Sequence, residues 1–463
     1  MIHIDEKRIG NLLAVAGKAT AGDIDAILAK SRALKRLTLE ETALLLCADD
    51  PASVRKIFDA AAYVKDTIYG KRVVLFAPLY ISNFCSNSCL YCAFQAGNRQ
   101  LTRKALTADE IKTEVASLLQ RGHKRVLVVA GESAPSGRTP VDYYREAIDA
   151  VYSVQVGPHR IRRVNINCAP LSVDEFKVLK TAGIGTFQLF QETYHEETYR
   201  KVHVRGPKSD PDNRIDAIDR AFKAGIDDVG VGVLYGLYDF RFETLALMMH
   251  IEHLERTFGV GPHTISVPRI EPADGSALSR NIPHRVSDSD FKKVVAVLRL
   301  AVPYTGIILS TRETAQMRDE LFTLGVSQVS AASSTSPGGY ADARETCQPG
   351  TQFSLNDHRS LDEVIASIIA HGFIPSFCAA CYRKERTGGH FMDLAKPGLI
   401  KEKCALNAVI TLKEYLDDFA SKKVKEDGYR MIEKLKAALD DEGKAELKRY
   451  LDAVDKGARD TYV

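Results

Sequence analysis

The sequence predicts an α/β fold, a (β/α)8 barrel of the TIM type with a helical N-terminal extension and a helical, cysteine-bearing C-terminal extension. Eight short runs rich in β-branched or small residues follow one another between about residues 71 and 373, each trailed by a helical pattern. Serine or threonine followed by glutamate three residues on marks several of the helix starts. Outside those limits the alternation gives way to helical texture alone. Eight β-then-α units in series argue for a closed parallel barrel rather than an open sheet.

The elements follow in order. Residues 1–70 form a helical segment, in which Thr38-Leu39-Glu40-Glu41 is a capping-box start and the stretch from about Ser53 closes at Gly70. The strands are expected at Val73–Ile81, Arg125–Ala130, Arg163–Cys168, Thr186–Phe190, Asp228–Tyr235, Thr264–Arg269, Gly306–Ser310 and Gln328–Ser333. Thr107 with Glu110 and Ser172 with Glu175 open intervening helices, and Ser360 with Glu363 opens the eighth, which stops near Gly372. The barrel therefore spans 71–373, and 374–463 form a C-terminal domain whose last forty residues are charged, amphipathic and most simply solvated surface.

Composition bounds the function. Sixty-three basic and sixty acidic residues leave a net charge of +3, too balanced to predict nucleic-acid or membrane-surface binding. No apolar run reaches the roughly 18 residues of a membrane span. The charged, helix-like first thirty residues contain no signal-peptide core, so a cytoplasmic protein is expected.

Six of the nine cysteines fall into two tight groups, and in a cytosolic chain such grouping reads as metal ligation. The first is Cys85-Ser86-Asn87-Ser88-Cys89-Leu90-Tyr91-Cys92, spaced CxxxCxxC directly after the first strand. Three thiolates with no nearby fourth suit a [4Fe–4S] cluster with one open iron better than a closed tetrahedral zinc site. An open iron is where S-adenosylmethionine would chelate and be cleaved, which points to radical chemistry. Cys378, Cys381 and Cys404 form the second group, which a structural zinc with His390 as fourth ligand would also explain. Cys47, Cys168 and Cys347 read as structural thiols.

Barrel geometry sorts these groups. Loops that follow strands lie at the C-terminal mouth, which gathers Cys85, Cys89 and Cys92 with Gly131-Glu132 after strand 2, Gln191-Glu192 after strand 4 and Ser310-Thr311-Arg312-Glu313 after strand 7. Arg269 ends strand 6. Cys378 and Cys381 follow the eighth helix and His263 precedes strand 6, so they belong at the opposite mouth, roughly 20–25 Å away. Asn165 and Asn167 share one face of strand 3, and Gly230 and Gly232 one face of strand 5. Turned inward, they would leave a polar, roomy lumen.

Each polar residue carries two readings. Glu132 is either a helix-capping carboxylate or, beside the cluster, a partner for the ammonium of S-adenosylmethionine. Arg312 suits bidentate capture of a substrate carboxylate, or else a salt bridge with Glu313; Arg269 is similarly placed. By position alone, His263 is an ordinary histidine at a strand start.

The run Phe84–Cys92 resembles the cluster loop of radical S-adenosylmethionine enzymes. Pro78-Leu79-Tyr80-Ile81-Ser82-Asn83, Gln191-Glu192-Thr193-Tyr194, Pro262–Arg269 and Leu309-Ser310-Thr311-Arg312-Glu313 resemble their tyrosine-cleaving branch. That branch holds 2-iminoacetate synthase of thiamine biosynthesis and the tyrosine lyase of [FeFe]-hydrogenase maturation. Cys378-Ala379-Ala380-Cys381 followed by Cys404 is similar to the CX2CX22C signature of the maturase family, which the thiamine enzyme lacks.

The resemblance implies a concrete chemistry. A reduced donor of ferredoxin or flavodoxin type feeds the Cys85/Cys89/Cys92 cluster, which cleaves S-adenosylmethionine to the 5′-deoxyadenosyl radical. L-Tyrosine is broken to p-cresol and dehydroglycine. Dehydroglycine becomes carbon monoxide and cyanide at an auxiliary [4Fe–4S]/[5Fe–4S] cluster held by Cys378, Cys381 and Cys404, with a histidine matching His263 and a free L-cysteine on its extra iron. The iron–carbonyl–cyanide product passes to other hydrogenase maturation proteins. Gly131, Glu132, Gln191 and Glu192 are then expected around the cofactor, and Ser310, Thr311, Arg312 and Arg269 around the substrate.

Overall fold

The computed structural model describes residues 2–135, 137–341 and 350–463; Cys347 lies outside them. Eight parallel strands close into a barrel: β1 (Arg72–Ser82), β2 (Arg125–Ala130), β3 (Arg163–Asn167), β4 (Phe187–Gln188), β5 (Val229–Gly232), β6 (Thr264–Ser266), β7 (Gly306–Leu309) and β8 (Gln328–Ser330). Closure comes from Val74 to Phe76 of β1 pairing with Gln328 to Ser330 of β8. The fold class follows the sequence, and so do the capping boxes at Thr38, Thr107, Ser172 and Ser360.

Several strands stop short of their expected ends. β4 contains only Phe187 and Gln188, and β5 ends at Gly232 rather than Tyr235. A Cβ at Gly232 would lie 2.7 Å from the Phe190 ring. The ring takes the space beside that glycine, and beyond it the pairing continues as isolated bridges, Glu192 with Val233 and Tyr235 with Arg269.

A ninth strand, β9 (Ile374–Ser376), was not foreseen in the sequence. It pairs in parallel with Arg72 to Val74 at the start of β1. Val74 also pairs with Gln328, so β9 takes the opposite edge of β1, the edge that β2 occupies further along. This wedge fixes the chain that leads into Cys378. Proline is tolerated at Pro375 because the strand is three residues long and lies at the end of the sheet.

The N-terminal helices Glu6–Ala16, Ala21–Arg32, Leu39–Cys47 and Pro51–Tyr69 cover one flank of the barrel, the last ending at Gly70 with φ +62°. Lys65 from this layer is buried; its ammonium donates to the Phe322 carbonyl at 3.1 Å and lies 3.9 Å from the Phe373 ring centre. After β9, the helix Ile400–Asp418 packs against β9 and the N-terminal helix Pro51–Tyr69, with Lys124 and Glu414 paired in the interior. The final helices Lys422–Ala437 and Asp441–Asp455 bury Val424, Ile432, Leu447, Leu451 and Val454, so they are packed on one side rather than wholly solvated. Among the described residues, no helix is long and apolar enough to cross a membrane.

Candidate active site and metal centres

The loop after β1 is laced onto the segment around residues 202–208. Ser88 N–H donates to the Arg205 carbonyl at 2.8 Å, Leu90 N–H to Val202 at 2.9 Å, and Val204 N–H returns to Ser88 at 3.2 Å. Tyr91 hydroxyl meets His203 Nε2 at 2.8 Å. Gly206, at φ +100°, is required here, because a Cβ would stand 2.5 Å from Asn87 Oδ1. The loop thereby brings Cys85, Cys89 and Cys92 to the wall of one cavity of ≈1390 Å³, counted to its open mouth. Burial pushes the Cys89 thiol up to about 12 and Cys92 up to about 11. Their deprotonation therefore has to accompany metal binding.

Glu132 faces this loop from the end of β2. Asn87 Nδ2 donates to Glu132 Oε2 at 2.8 Å, and Arg214 Nη1 donates to Oε1 at 2.8 Å. Burial alone would raise its carboxyl, but Arg214 and Lys208 outweigh it and hold the group below the usual carboxylate range. Gly131 lets the two loops touch, since any Cβ there would collide with the Phe84 carbonyl. Lys208 Nζ donates in turn to Glu192 Oε1 at 2.7 Å. Glu132, Arg214, Glu192 and Lys208 thus form one buried ionic network on the cavity wall. Asn87, Lys208 and Arg214 carried no signal in the sequence, because only the tertiary fold brings 208 and 214 back to the cluster loop.

Glu192 has φ +74°, a conformation that costs a non-glycine residue of order 1 kcal/mol or more. The buried Glu243 carboxylate holds the chain there by accepting from Tyr194 N–H at 2.8 Å and from the Thr193 hydroxyl. Burial pushes Glu243 up to about 8.

Ser310, Thr311 and Arg312 line the far wall of the same cavity. The Arg312 guanidinium lies 3.3 Å from the Phe353 ring centre, and no carboxylate stands within 4.0 Å of it among the described residues. Glu313 pairs with Arg269, not with Arg312.

Two expected site residues do not reach the cavity. Arg269 is tied to Glu313 and, at 2.8 Å, to Asp288, so its charge is already matched. It does touch the site indirectly, because Arg312 Nη1 donates to its carbonyl at 3.4 Å. Gln191 is buried and donates to the Pro211 carbonyl at 3.2 Å, bracing the short helix that carries Arg214. Tyr80 and Gln352, which sequence reasoning passed over, do line the cavity; their side chains bond at 2.8 Å, and Gln352 Nε2 lies 3.7 Å from Cys92 Sγ.

The cavity wall is mixed rather than polar as the sequence led one to expect: Asn167, Gln188, Ser266, Ser310 and Ser330 stand beside Phe76, Leu127, Val129, Phe190 and Ile308. The lumen is also narrower than the glycines promised. A Cβ at Gly230 would stand 2.6 Å from Thr264 Oγ1 and 2.8 Å from Gln188 Cγ, so those side chains fill the space. Both Gln188 Oε1 and Thr264 Oγ1 are buried without a hydrogen-bond partner.

At the opposite end, β9 leads into Cys378, whose carbonyl accepts from Arg125 Nη1 at 2.9 Å. Cys381 lies on the short helix Ala380–Arg383 and Cys404 in the first turns of the helix Ile400–Asp418. The three act on one another electrostatically, and burial pushes the Cys404 thiol up to about 12. β9 leaves the sheet level with Val74 near the start of β1, whereas Cys85 follows the end of β1 at Ser82, so the two groups lie toward opposite ends of that strand. His263 stands near it, with Nδ1 3.7 Å from Asp228 and Nε2 3.5 Å from the Tyr382 hydroxyl. Burial, then Arg163, Arg125 and Arg72, hold its imidazole neutral, the form that binds metals. His390 is exposed and bonded to the Glu385 carbonyl at 3.2 Å.

Among the described residues, no three His, Cys, Asp or Glu side chains converge as they would on a single ion. An iron–sulfur cubane takes each thiolate on a different iron and does not ask for that convergence. Both cysteine groups fit such a cluster. Orphaned polar atoms adjoin each: Ser333 Oγ on the upper cavity wall, and Nε of Arg72 and of Arg125 at the lower mouth.

Comparison with known proteins agrees with this architecture. The Radical SAM superfamily model matches residues 79–251, and the Biotin and Thiamin Synthesis associated domain matches residues 266–374. A solved HydG structure, a maturase of the [FeFe]-hydrogenase, is 46% identical, with a TM-score of 0.95 and 99% of each chain covered. HydG from Carboxydothermus hydrogenoformans is 40% identical, with a TM-score of 0.83 over 96% of this chain and 97% of that one. The 2-iminoacetate synthase of Escherichia coli (strain K12) is 32% identical over 364 residues, 78% of this chain and 91% of its own.

Proposed function

We propose, because this chain belongs to the radical S-adenosylmethionine superfamily and within it to the group of the HydG maturases and 2-iminoacetate synthase, that it is the tyrosine lyase of a hydrogenase maturation system. Its substrate is L-tyrosine and its organic products are p-cresol and dehydroglycine. The latter is converted to carbon monoxide and cyanide for an iron–carbonyl–cyanide unit destined for the [FeFe]-hydrogenase. The observation that carries this reading is the second cysteine group, Cys378, Cys381 and Cys404, at the lower mouth of the same barrel.

When bound, [4Fe–4S] clusters with S-adenosylmethionine at the upper cysteines and an extra iron with free cysteine at the lower ones supply the radical and the iron–carbon chemistry. The chain's own residues position and shield. Glu132, kept ionised by Arg214 and Lys208, takes the methionine ammonium. Gly131 and Glu192 complete that wall. Arg312 takes the carboxylate of tyrosine, since it forms no ion pair among the described residues, and Ser310 and Thr311 border it. Arg269 is a positioning residue held by Glu313. His263 joins the lower site as a neutral nitrogen donor. A small intermediate passing from one mouth to the other would run inside the barrel past Gln188 and Thr264, where its hydrolysis is limited. A reduced ferredoxin or flavodoxin as electron donor, other maturation proteins as recipients and a cytoplasmic location complete the proposal.

A 2-iminoacetate synthase is the second reading, favoured by the 32% identity over 364 residues. That reaction needs the upper site alone. Anaerobically reconstituted protein given S-adenosylmethionine, reductant and L-tyrosine separates the two. The proposal expects p-cresol, carbon monoxide and cyanide together; p-cresol with glyoxylate and no carbon monoxide, from protein with both clusters filled, would favour the synthase.

A further inference from the structure

Most buried arginines of this protein are satisfied in an ordinary way. Arg318 pairs with Asp357, and Arg163 with Asp228. Arg299 lacks a carboxylate but donates to the carbonyls of Pro303, Thr305 and Gly325 at 2.7–3.2 Å. Arg72 and Arg125 differ. They are the first residues of β1 and β2, the two strands that flank the β9 wedge. Arg125 is 7% exposed, and its one side-chain bond is to the Cys378 carbonyl. Arg72 makes no side-chain hydrogen bond among the described residues; its guanidinium lies 5.1 Å from the Tyr69 ring centre. Nε of each is buried and unpartnered, as is Nε of Arg163 and of Arg318; the difference is that those two have an ion pair, whereas none involves Arg72 or Arg125 among the described residues. What neighbours them is mainly sulfur: Cys404, Cys378 and Cys381 lie about Arg72, and Cys378 and Cys381 about Arg125, where the one carboxylate in reach, Asp228, is already paired with Arg163.

Two partly or wholly buried guanidiniums at one end of the barrel, neither in an ion pair among the described residues, are costly to desolvate unless an anion joins them. Three thiolates holding an iron–sulfur centre are such an anion, and gaining an electron makes it more negative. Positive charge nearby stabilises the reduced form more than the oxidised one. We infer that Arg72 and Arg125 are the counter-ions of the centre held by Cys378, Cys381 and Cys404, and that they raise its reduction potential. This rests on the reading that those cysteines hold an iron–sulfur centre.

The test is an EPR-monitored redox titration of the full chain carrying Cys85→Ala, Cys89→Ala and Cys92→Ala, so that only the lower centre reports. In that background Arg72→Gln and Arg125→Gln should each make reduction about tenfold harder, a shift of about 59 mV for one electron. Arg72→Lys and Arg125→Lys should recover most of it. Iron lost in the Gln variants but kept in the Lys variants would equally support a charge requirement. An unchanged potential at full iron content in both Gln variants would overturn the inference. So would iron lost alike from Gln and Lys variants, which marks a packing role. Iron and sulfide persisting after Cys378→Ala, Cys381→Ala and Cys404→Ala in the same background would overturn the reading of the lower centre itself, and the inference with it.

Discussion

The side-chain amide of Asn87, inside the cysteine loop, donates to Oε2 of Glu132 at 2.8 Å and thereby ties the loop after β1 to the loop after β2. Its carbonyl oxygen accepts from the backbone of Lys208 at 2.8 Å, so one residue between two cysteines sets the position of both a carboxylate and a cation. Asn87→Ala leaves Glu132 Oε2 without its amide donor and the Lys208 N–H without its acceptor. Losing such a bond costs about 1–3 kcal/mol. S-Adenosylmethionine affinity should fall at least about fivefold while iron content holds, as measured by equilibrium binding to reconstituted protein. Unchanged affinity would remove Asn87 from the account.

Arg312 forms no ion pair among the described residues and lies 3.3 Å from the Phe353 ring centre, with Nη1 on the Arg269 carbonyl at 3.4 Å, so the rest of its fork can meet a carboxylate. Lysine offers a point charge in place of the fork. Arg312→Lys should raise KM for tyrosine by about ten- to a hundredfold, or about 1.4–2.8 kcal/mol, with full iron content and S-adenosylmethionine binding intact. Steady-state kinetics against tyrosine at saturating S-adenosylmethionine decides it. An unaltered KM would contradict the assignment.

Glu243 links stability to pH. Its carboxyl is pushed up from 4.5 to about 8 by burial, so the folded protein binds more protons than the unfolded chain between those values. Stability from this group is complete below about pH 4.5 and is lost as pH rises through about 8. Glu243→Gln removes that titration, so the fall of Tm between pH 5 and 8 should flatten in the variant. Superimposable Tm–pH profiles for parent and variant would refute it.

Gln188 and Thr264 narrow the lumen and leave Oε1 and Oγ1 unpartnered there. Polar atoms at a waist suit a polar molecule in passage. Thr264→Val keeps the volume and removes the hydroxyl. Carbon monoxide yield per p-cresol should fall about two- to tenfold in the variant, a coupling worth of order 1 kcal/mol. Equal ratios would place the transit elsewhere or dispense with it.

The barrel was legible because eight capped or periodic β/α units repeat, and the first cysteine group because CxxxCxxC after strand 1 has no nearby fourth ligand, whereas spacing left the second group open to zinc. β9 escaped notice because Ile374-Pro375-Ser376 is too short to show a period and contains a proline. Lys208 and Arg214 escaped for another reason: they lie more than 100 residues beyond Cys85 in sequence and gain meaning only when Asn87 and Glu132 meet them. Position at a strand end was an incomplete guide. Arg312 lines the cavity, whereas Arg269, also at a strand end, has its side chain paired with Glu313.

The account stands on two chemistries at two mouths of one barrel. The most direct measurement is product analysis of the Cys378→Ala, Cys381→Ala, Cys404→Ala variant beside the parent, with iron content recorded for both. The account predicts p-cresol at parental levels and carbon monoxide reduced to background. Carbon monoxide formed at the parental ratio to p-cresol by the variant would contradict it.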